Sequence, residues 1–183
     1  GAGRAAEGMA VPDALPGAFN RRHFFIAGER RFAHARRLHE PASVLLLDVD
    51  DFKAVNDLHG HALGDRVLIA VAQACMACMR ESDLLARYGG EEFLVIYSNQ
   101  DLDSALVAAN RMRATVEGLA VQSPAVARGV MTISVGVAAP SAERADPPDS
   151  VLSRADAPLS RGNTNDRNCG DGVDAAPPPQ PAS

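Results

Sequence analysis

Short apolar runs alternate with segments of helical periodicity along the chain, and this alternation most constrains its fold. The apolar run Ser43–Leu47 leads directly into Asp48, Val49 and Asp50, which is typical of a buried strand that delivers acids to an edge of a sheet. The predicted elements, in chain order, are a helix over Asn20–Glu40, a strand over Ser43–Leu47, a helix over Gly64–Arg80, strands over Asp83–Tyr88 and Glu92–Tyr97, a helix over Asp101–Glu117, a strand over Gly129–Ala138 and a helix that begins at Ser150.

Two of the strands flank Gly89-Gly90, and this spacing predicts a hairpin. The order of elements therefore predicts an α/β (α+β) fold, with helices packed on a single sheet. Pro158 and Gly162 are expected to interrupt the last helix. From Asn163 onward the sequence is polar and rich in glycine and proline, which predicts a disordered tail.

The composition of the chain argues against several classes of function. Its 183 residues include 18 Lys and Arg against 23 Asp and Glu, a formal charge of −5, which argues against DNA and RNA as partners. Nucleotide substrates stay compatible, because a bound metal supplies positive charge locally. No apolar run reaches the roughly 18 residues of a membrane span, and no secretory signal is evident. The three cysteines, an odd number, are typical of a reducing compartment rather than of a disulfide framework. We therefore expect a cytoplasmic segment without membrane contact. A membrane tether in regions outside this segment stays compatible with the sequence.

Cys75 and Cys78 form a C-x-x-C pair, for which zinc binding and redox chemistry are the functional interpretations. The pair lies within Val67–Met79, an apolar stretch with helical spacing, and no second ligand pair follows it. We therefore expect both cysteines to pack as small hydrophobic residues.

Three acids, Asp48, Asp50 and Glu91, are the candidate metal ligands. Carboxylates that converge at strand ends commonly hold Mg²⁺ on a nucleoside triphosphate. The alternative is that they are solvated acids in turns. Gly89-Gly90 weakens this alternative at Glu91, because glycines allow a backbone to approach a ligand closely.

The segment Arg87–Phe93 reads R-Y-G-G-E-E-F and resembles the signature of GGDEF domains, the diguanylate cyclases, in the GGEEF form. Further segments that resemble motifs of this family, in the same order, are D-A-L-P-G-A-F-N-R-R at Asp13–Arg22, D-V-D-D-F-K-A-V-N-D at Asp48–Asp57, G-H-A-L-G-D at Gly60–Asp65 and T-I-S-V-G-V at Thr132–Val137. The resemblance covers Asp13 to Asp156. It implies a domain over residues 13–162, a linker over 1–12 and a tail over 163–183.

Resemblance to this family implies a fold, a reaction and a set of partners. The fold would be similar to nucleotide cyclases and polymerase palm domains, with a mostly antiparallel sheet and the GGEEF segment on its central hairpin. The reaction would condense two GTP molecules into cyclic di-GMP and release pyrophosphate, with Mg²⁺ or Mn²⁺ as cofactor. Because each domain holds one GTP, the resemblance also implies an antiparallel homodimer, and a sensor or receiver domain is expected upstream.

The resemblance further implies the roles of individual residues. The implied metal ligands are Asp48, Glu91 and the carbonyl of Val49, while Glu92 would activate the attacking hydroxyl or hold a metal. Lys53 would contact a phosphate. The remaining implied substrate contacts are Asn56 and Asp65 at the guanine edge, the amides of Asp51 and Phe52, the turn glycines Gly89 and Gly90, and Arg167.

A second site follows from Arg80 and Asp83, which form an R-x-x-D motif that five residues separate from Gly89. In the family this motif is an inhibitory site for cyclic di-GMP, where the arginine clamps phosphate or guanine and the aspartate reads a guanine edge. Arg111 matches an arginine that bridges this site between domains. The alternative is a surface salt bridge.

The last part of the family pattern is degenerate here. The positions of its tyrosine, lysine and glycine are Ser160, Asn163 and Asp166, whereas Arg167 matches. In the family the lysine contacts GTP phosphates, and the terminal strand is also expected to be missing. Two functions therefore stand: an active diguanylate cyclase with product inhibition, or a weakened GGDEF domain that binds GTP or cyclic di-GMP and signals to another domain.

Overall fold

The computed structural model describes residues 20–126, 129–140, 147–165 and 170–173. The elements, in chain order, are α1 (Arg21–Leu38), β1 (Ala42–Val49), α2 (Phe52–His59), α3 (His61–Ala77), β2 (Leu84–Arg87), β3 (Glu92–Ser98), α4 (Leu102–Gly118), β4 (Ile133–Ala138), α5 (Pro148–Asn165) and β5 (Gly170–Val173).

The strands form one five-stranded sheet in the order β2-β3-β1-β4-β5. β1 pairs antiparallel with both β3 and β4, β2 pairs antiparallel with β3, and β5 runs parallel to β4. The predicted single, mostly antiparallel sheet with a central hairpin is therefore confirmed. Because β1 lies in the middle, its end is enclosed by strands on both sides.

The sheet is covered by helices on both faces. Leu45, Leu47 and Val95 pack on one face with the buried side chains of α3 and α4. Leu46 and Leu94 pack on the other face with α1 and α5. This alternation follows from the two-residue repeat of a strand, and it explains why β1 is apolar at successive positions.

Two predictions about the polypeptide after β4 are wrong. Helix α5 continues through Pro158 and Gly162 to Asn165, and a terminal strand, β5, is present. Proline inside a helix costs about 3 kcal/mol relative to alanine. Val151 and Leu152 of α5 are buried against the sheet, and their burial, at about 1.5–3 kcal/mol for each side chain, anchors the first turns of the helix.

One further helix and one strand boundary also differ from the sequence prediction. The short helix α2 was not predicted, because its eight residues are too few for a clear helical period. β4 begins at Ile133 rather than Gly129, and Val130 forms an isolated bridge with Gln122 instead. None of the described helices combines the length and apolar character needed to cross a lipid bilayer.

Candidate active site

The acids at the end of β1 meet the start of β3. Asp48 lies opposite Glu92 of β3 and Ser134 of β4 in the sheet register. The amide of Val49 donates to the carbonyl oxygen of Glu91 at 3.1 Å. The structure therefore brings Asp48, Val49 and Glu91 to one edge of the sheet, as their assignment to one site requires.

Asp50 has a different environment from the other two candidate acids. Its side chain is 1 % exposed, and its carboxylate accepts hydrogen bonds from Thr132 Oγ1 and Ser134 Oγ, both at 2.7 Å. The interpretation of Asp50 as a metal-binding acid is therefore not supported by its contacts, since its two oxygens are engaged with hydroxyls of the β4 side.

The Gly89-Gly90 turn is held by hydrogen bonds at both ends. The amides of Tyr88 and Gly89 donate to the Glu92 carbonyl at 2.8 and 3.3 Å. Arg87 donates from Nε to the Gly89 carbonyl at 3.2 Å and from its terminal nitrogen to the Gly90 carbonyl at 2.8 Å. A Cβ on Gly90 would meet no atom within 4 Å, so this position is open to an approaching ligand.

Glu92 lies in an environment that disfavours its charged form. It lines a cavity of about 380 Å³ with Tyr88, Ser153 and Asp156. Partial burial raises the pKa of Glu92, the carboxylates of Asp156 and Glu91 raise it further, and the Arg21 guanidinium opposes them. A carboxylate whose pKa is raised is a stronger base and is therefore better suited to accept a proton from an attacking hydroxyl.

The loop between β1 and α2 carries the predicted phosphate contacts. Asp51 adopts a left-handed conformation with φ +57 and is the N-cap of α2. Phe52 is half-buried and Lys53 is exposed. The first amides of a helix lack intrahelical acceptors and favour anions, so the loop offers both amides and a cation to a phosphate.

The predicted guanine-reading residues lie on two adjacent helices. Asn56 of α2 donates from Nδ2 to His61 Nδ1 at 2.9 Å, and Asp65 of α3 is exposed. A Cβ on Gly64 would lie 2.4 Å from Asn56 Oδ1. Glycine is thus required at 64 for this position of Asn56.

The R-x-x-D site is brought together in part. Arg80 and Arg111 are both exposed and line a cavity of about 420 Å³. Asp83 is 8 % exposed, and its carboxylate accepts the amides of Arg80 at 2.9 Å and Ser98 at 3.0 Å. Asp83 therefore fixes the turn that carries Arg80, and each of its oxygens keeps a further lone pair.

Arg21 and Tyr88 form a contact that our sequence reasoning gave no role. The Arg21 guanidinium lies 4.2 Å from the centre of the Tyr88 ring and donates to the Tyr88 hydroxyl at 3.2 Å. This stacking joins the start of α1 to the residue before the glycine turn. Arg21 belongs to the N-R-R end of the first motif and Tyr88 to the R-Y-G-G-E-E-F motif. Because 67 residues separate them, the sequence does not predict that they are in contact.

Several predicted features lie outside the described residues, namely the opening segment Asp13–Phe19 and Arg167. Asn163 lies in α5. The cysteine pair behaves as expected from its apolar context: Cys75 is buried and Cys78 half-buried, and burial raises the pKa of the Cys75 thiol. Within the described ranges, no group of three or more His, Cys, Asp and Glu side chains is arranged to hold a metal.

The residues at the C-terminal end of β1 nevertheless fit a hard divalent cation. The proposed donors are two carboxylates, from Asp48 and Glu91, and one backbone carbonyl, from Val49. Oxygen-only donors suit Mg²⁺ and Mn²⁺, which keep bound waters and substrate phosphates as their other ligands.

A family model described as diguanylate cyclase, GGDEF domain, matches residues 10–169. The chain belongs to the GGDEF family. This confirms the predicted resemblance, and it places the chain in a family of nucleotidyltransferases of cyclic di-GMP signalling that generally use a divalent metal.

Named relatives agree with this assignment. The chain is 36 % identical to diguanylate cyclase DgcM of Escherichia coli over 162 residues, which are 88 % of this chain and 38 % of DgcM. It is 40 % identical to response regulator PleD of Caulobacter vibrioides over 165 residues, 87 % of this chain and 35 % of PleD. The chain thus spans little more than a third of either relative.

A solved structure shares the fold. The GGDEF domain of DgcB from Caulobacter crescentus, in complex with c-di-GMP, superposes with a TM-score of 0.80 at 27 % identity and covers 91 % of this chain and 93 % of that one. The expected similarity to the cyclase fold is therefore confirmed, and the GGEEF residues of this chain lie on the β2–β3 hairpin.

Proposed function

We propose that this GGDEF domain condenses two GTP molecules into cyclic di-GMP. The observation that carries the proposal is the meeting of Asp48, Val49 and Glu91 at one sheet edge, beside an open glycine turn. Membership in the family supports the reaction class. The localisation and partners that we propose with it are the cytoplasm, GTP, cyclic di-GMP, an upstream sensor or receiver domain, and Mg²⁺ or Mn²⁺ as cofactor.

In the proposed mechanism, each residue has a separate task. Asn56 and Asp65 bind the guanine edge, and Lys53 with the amides of Asp51 and Phe52 binds phosphate oxygens. Asp48, Glu91 and the Val49 carbonyl would hold the divalent cation, which when bound offsets the charge that develops on the phosphates.

Glu92 accepts the proton of the attacking 3′-hydroxyl in this mechanism. The 3′-oxygen of one GTP forms a bond to the α-phosphorus of the other, and the bond from that phosphorus to pyrophosphate breaks. A second, symmetric displacement closes the ring. Since each chain offers one such set of residues, two chains must face each other, which makes the homodimer the catalytic unit.

The cavity between Arg80 and Arg111 is the proposed site of product inhibition. Two guanidiniums on one cavity suit the phosphates of cyclic di-GMP, because arginine binds phosphate bidentately. The Asp83 carboxylate accepts the backbone amide of Arg80 and so holds Arg80 in place. Its remaining lone pairs are available to accept hydrogen bonds from a guanine. The solved structure of the DgcB GGDEF domain contains c-di-GMP. The presence of this ligand in a related domain supports cyclic di-GMP as the ligand that we propose for this chain.

A second candidate function is a regulatory module that binds GTP or cyclic di-GMP without turnover. The observation that favours it is Asn163 in the position of the family's phosphate-binding lysine. An asparagine supplies no positive charge to the phosphates, and Ser160 and Asp166 depart from the pattern as well.

Purified protein incubated with GTP and Mg²⁺ separates the two candidates. We expect cyclic di-GMP and pyrophosphate, and we expect Asp48→Asn and Glu91→Gln to lower turnover on the order of 100-fold. The matched control is Glu29→Gln, an exposed acid on α1. Binding of GTP without product would establish the regulatory module instead, and unchanged turnover in both acid variants would refute the metal assignment.

A further inference from the structure

Asp50 ties the end of β1 to the β4 side through three hydrogen bonds. Its carboxylate accepts from Thr132 Oγ1 and Ser134 Oγ at 2.7 Å each, and its amide donates to the Thr132 carbonyl at 2.9 Å. The side chain is 1 % exposed. Hydrogen bonds to a charged, buried acceptor are among the stronger interactions in proteins, so this linkage is firmly held.

The linkage lies immediately before the loop that carries the proposed phosphate and metal contacts. Val49 precedes Asp50, and Asp51 follows it with φ +57. The left-handed region is less favourable than the right-handed one for a residue with a Cβ, although Asp adopts it more readily than most, so contacts around the loop contribute to holding this conformation. Asp50, which directly precedes Asp51, supplies such contacts through its hydrogen bonds to the buried side chains of Thr132 and Ser134.

We propose that Asp50 is a positioning residue for the active-site loop, and that Thr132 and Ser134 act through it. By fixing the peptide on each side of itself, Asp50 holds the Val49 carbonyl toward the cation and the amides of Asp51 and Phe52 toward phosphate. Thr132, just before β4, and Ser134 within it thereby gain a role in the reaction without touching substrate. This inference rests on the proposed GTP-binding function.

A positioning role and a general role in stability differ in the set of ligands whose binding affinity they affect. Disturbing the loop weakens binding of metal and phosphates, whereas Asn56 and Asp65, on the helices that follow, still bind guanine. The Arg80 and Arg111 cavity lies elsewhere, between the end of α3 and α4. A loss of overall fold would weaken all three kinds of binding together.

The test uses calorimetric titration of the full chain with α,β-methylene-GTP plus Mg²⁺, with guanosine, and with cyclic di-GMP. The variants are Asp50→Ala, Asp50→Asn, Ser134→Ala and Thr132→Val. We expect Asp50→Ala to bind the Mg²⁺-loaded analogue about 10- to 100-fold more weakly, with Asp50→Asn and each hydroxyl variant intermediate. Guanosine and cyclic di-GMP affinities should stay unchanged.

A double-mutant cycle tests whether the hydroxyls act through Asp50. If they do, Ser134→Ala has no further effect on analogue binding once Asp50 is asparagine. Folded Asp50→Asn and Ser134→Ala proteins that bind the analogue like the wild type would overturn the inference, as would equal losses for all three ligands. A wild-type chain that fails to bind the analogue with Mg²⁺ would overturn the proposed function, and this inference with it.

Discussion

Glu92 shows how the chemistry of one residue here depends on three separate elements. It lies at the start of β3, while Asp156, which raises its pKa, comes from α5, and Arg21, which lowers it, comes from α1. The preceding Glu91 adds a second repelling carboxylate. Burial is the largest cause of the raised pKa of Glu92, and charged side chains from α5 and α1, far from it in sequence, adjust that pKa further.

The pH dependence of turnover should respond to these neighbours. Glu92 must be ionised to accept a proton, so activity falls as pH drops through its raised pKa. Asp156→Asn removes a repelling charge, lowers the pKa of Glu92 and moves the acidic limb of the kcat profile to lower pH, whereas Arg21→Met moves it to higher pH. Profiles recorded at saturating GTP and Mg²⁺ check this, and shifts in the opposite directions would exclude Glu92 as the acceptor.

The same raised pKa makes Glu92 a cost to stability at neutral pH. Below its ordinary pKa of 4.5 the group is neutral in both folded and unfolded chains, and stability is lost as pH rises through the folded value. Glu92→Gln should therefore raise Tm at pH 7, on the order of 1 °C because the side chain is partly solvated, and leave it unchanged at pH 4. Thermal melts at both pH values decide this.

At the scale of elements, the junction of α2 and α3 positions Asn56 and Asp65, the proposed guanine-binding residues. Gly60 ends α2 with φ +87 and begins α3, a conformation that glycine adopts without strain. One turn later, Gly64 leaves room for the Asn56 side chain. The first glycine of the G-H-A-L-G-D segment thus serves the backbone turn, and the second serves the placement of Asn56, a proposed ligand contact.

Gly64→Ala is expected to weaken GTP binding with little loss of stability. Its Cβ would lie 2.4 Å from Asn56 Oδ1 and 3.2 Å from Phe52 Cζ, so the ends of both side chains must move. Alanine is favoured over glycine inside a helix by about 1 kcal/mol, which offsets the cost of that shift. A raised KM for GTP, with a free energy of unfolding close to that of the wild type, checks this. Gly118→Ala is the matched control, because nothing lies within 4 Å of its Cβ position; a wild-type KM of Gly64→Ala would contradict the assigned position of Asn56.

At the scale of the whole molecule, the proposed active site and the R-x-x-D cavity lie at different places on the sheet. Asp48 and Glu91 lie where β1 ends and β3 begins, whereas Arg80 precedes β2 and Arg111 belongs to α4. Product binding at the cavity can therefore coexist with substrate in the active site. Regulation and catalysis should be separable by substitution.

Arg80→Ala and Arg111→Ala should each weaken cyclic di-GMP binding, by roughly 10- to 100-fold from the loss of charged hydrogen bonds. Initial turnover should persist while product inhibition is relieved. Calorimetric titration and progress curves provide the measurements, with the exposed Arg37→Ala on α1 as control. Full affinity in both variants would place the product elsewhere.

Dimerisation predicts that turnover per chain rises with protein concentration. Each chain contributes one set of GTP-binding residues, so at low concentration the rate should grow with the square of the chain concentration and become linear once dimers saturate. Initial rates over a dilution series, with light scattering at each concentration, check this. Constant turnover per chain across a range in which the scattering shows monomers would rule out the dimer as the catalytic unit.

The sequence alone determined the family, the strands β1 to β4 with the helices other than α2, and the residues at the C-terminal end of β1. Its motifs are local, and their chemistry is readable from residue types at fixed spacing. It did not predict the strand β5, or that α5 continues through Pro158, which local helix propensity disfavours. Nor did it separate Asp50 from Asp48, or predict the contacts of Arg21 with Tyr88 and of Asp83 with two amides. Those distinctions depend on which side chains the fold brings together from distant parts of the chain, and only the tertiary structure decides them.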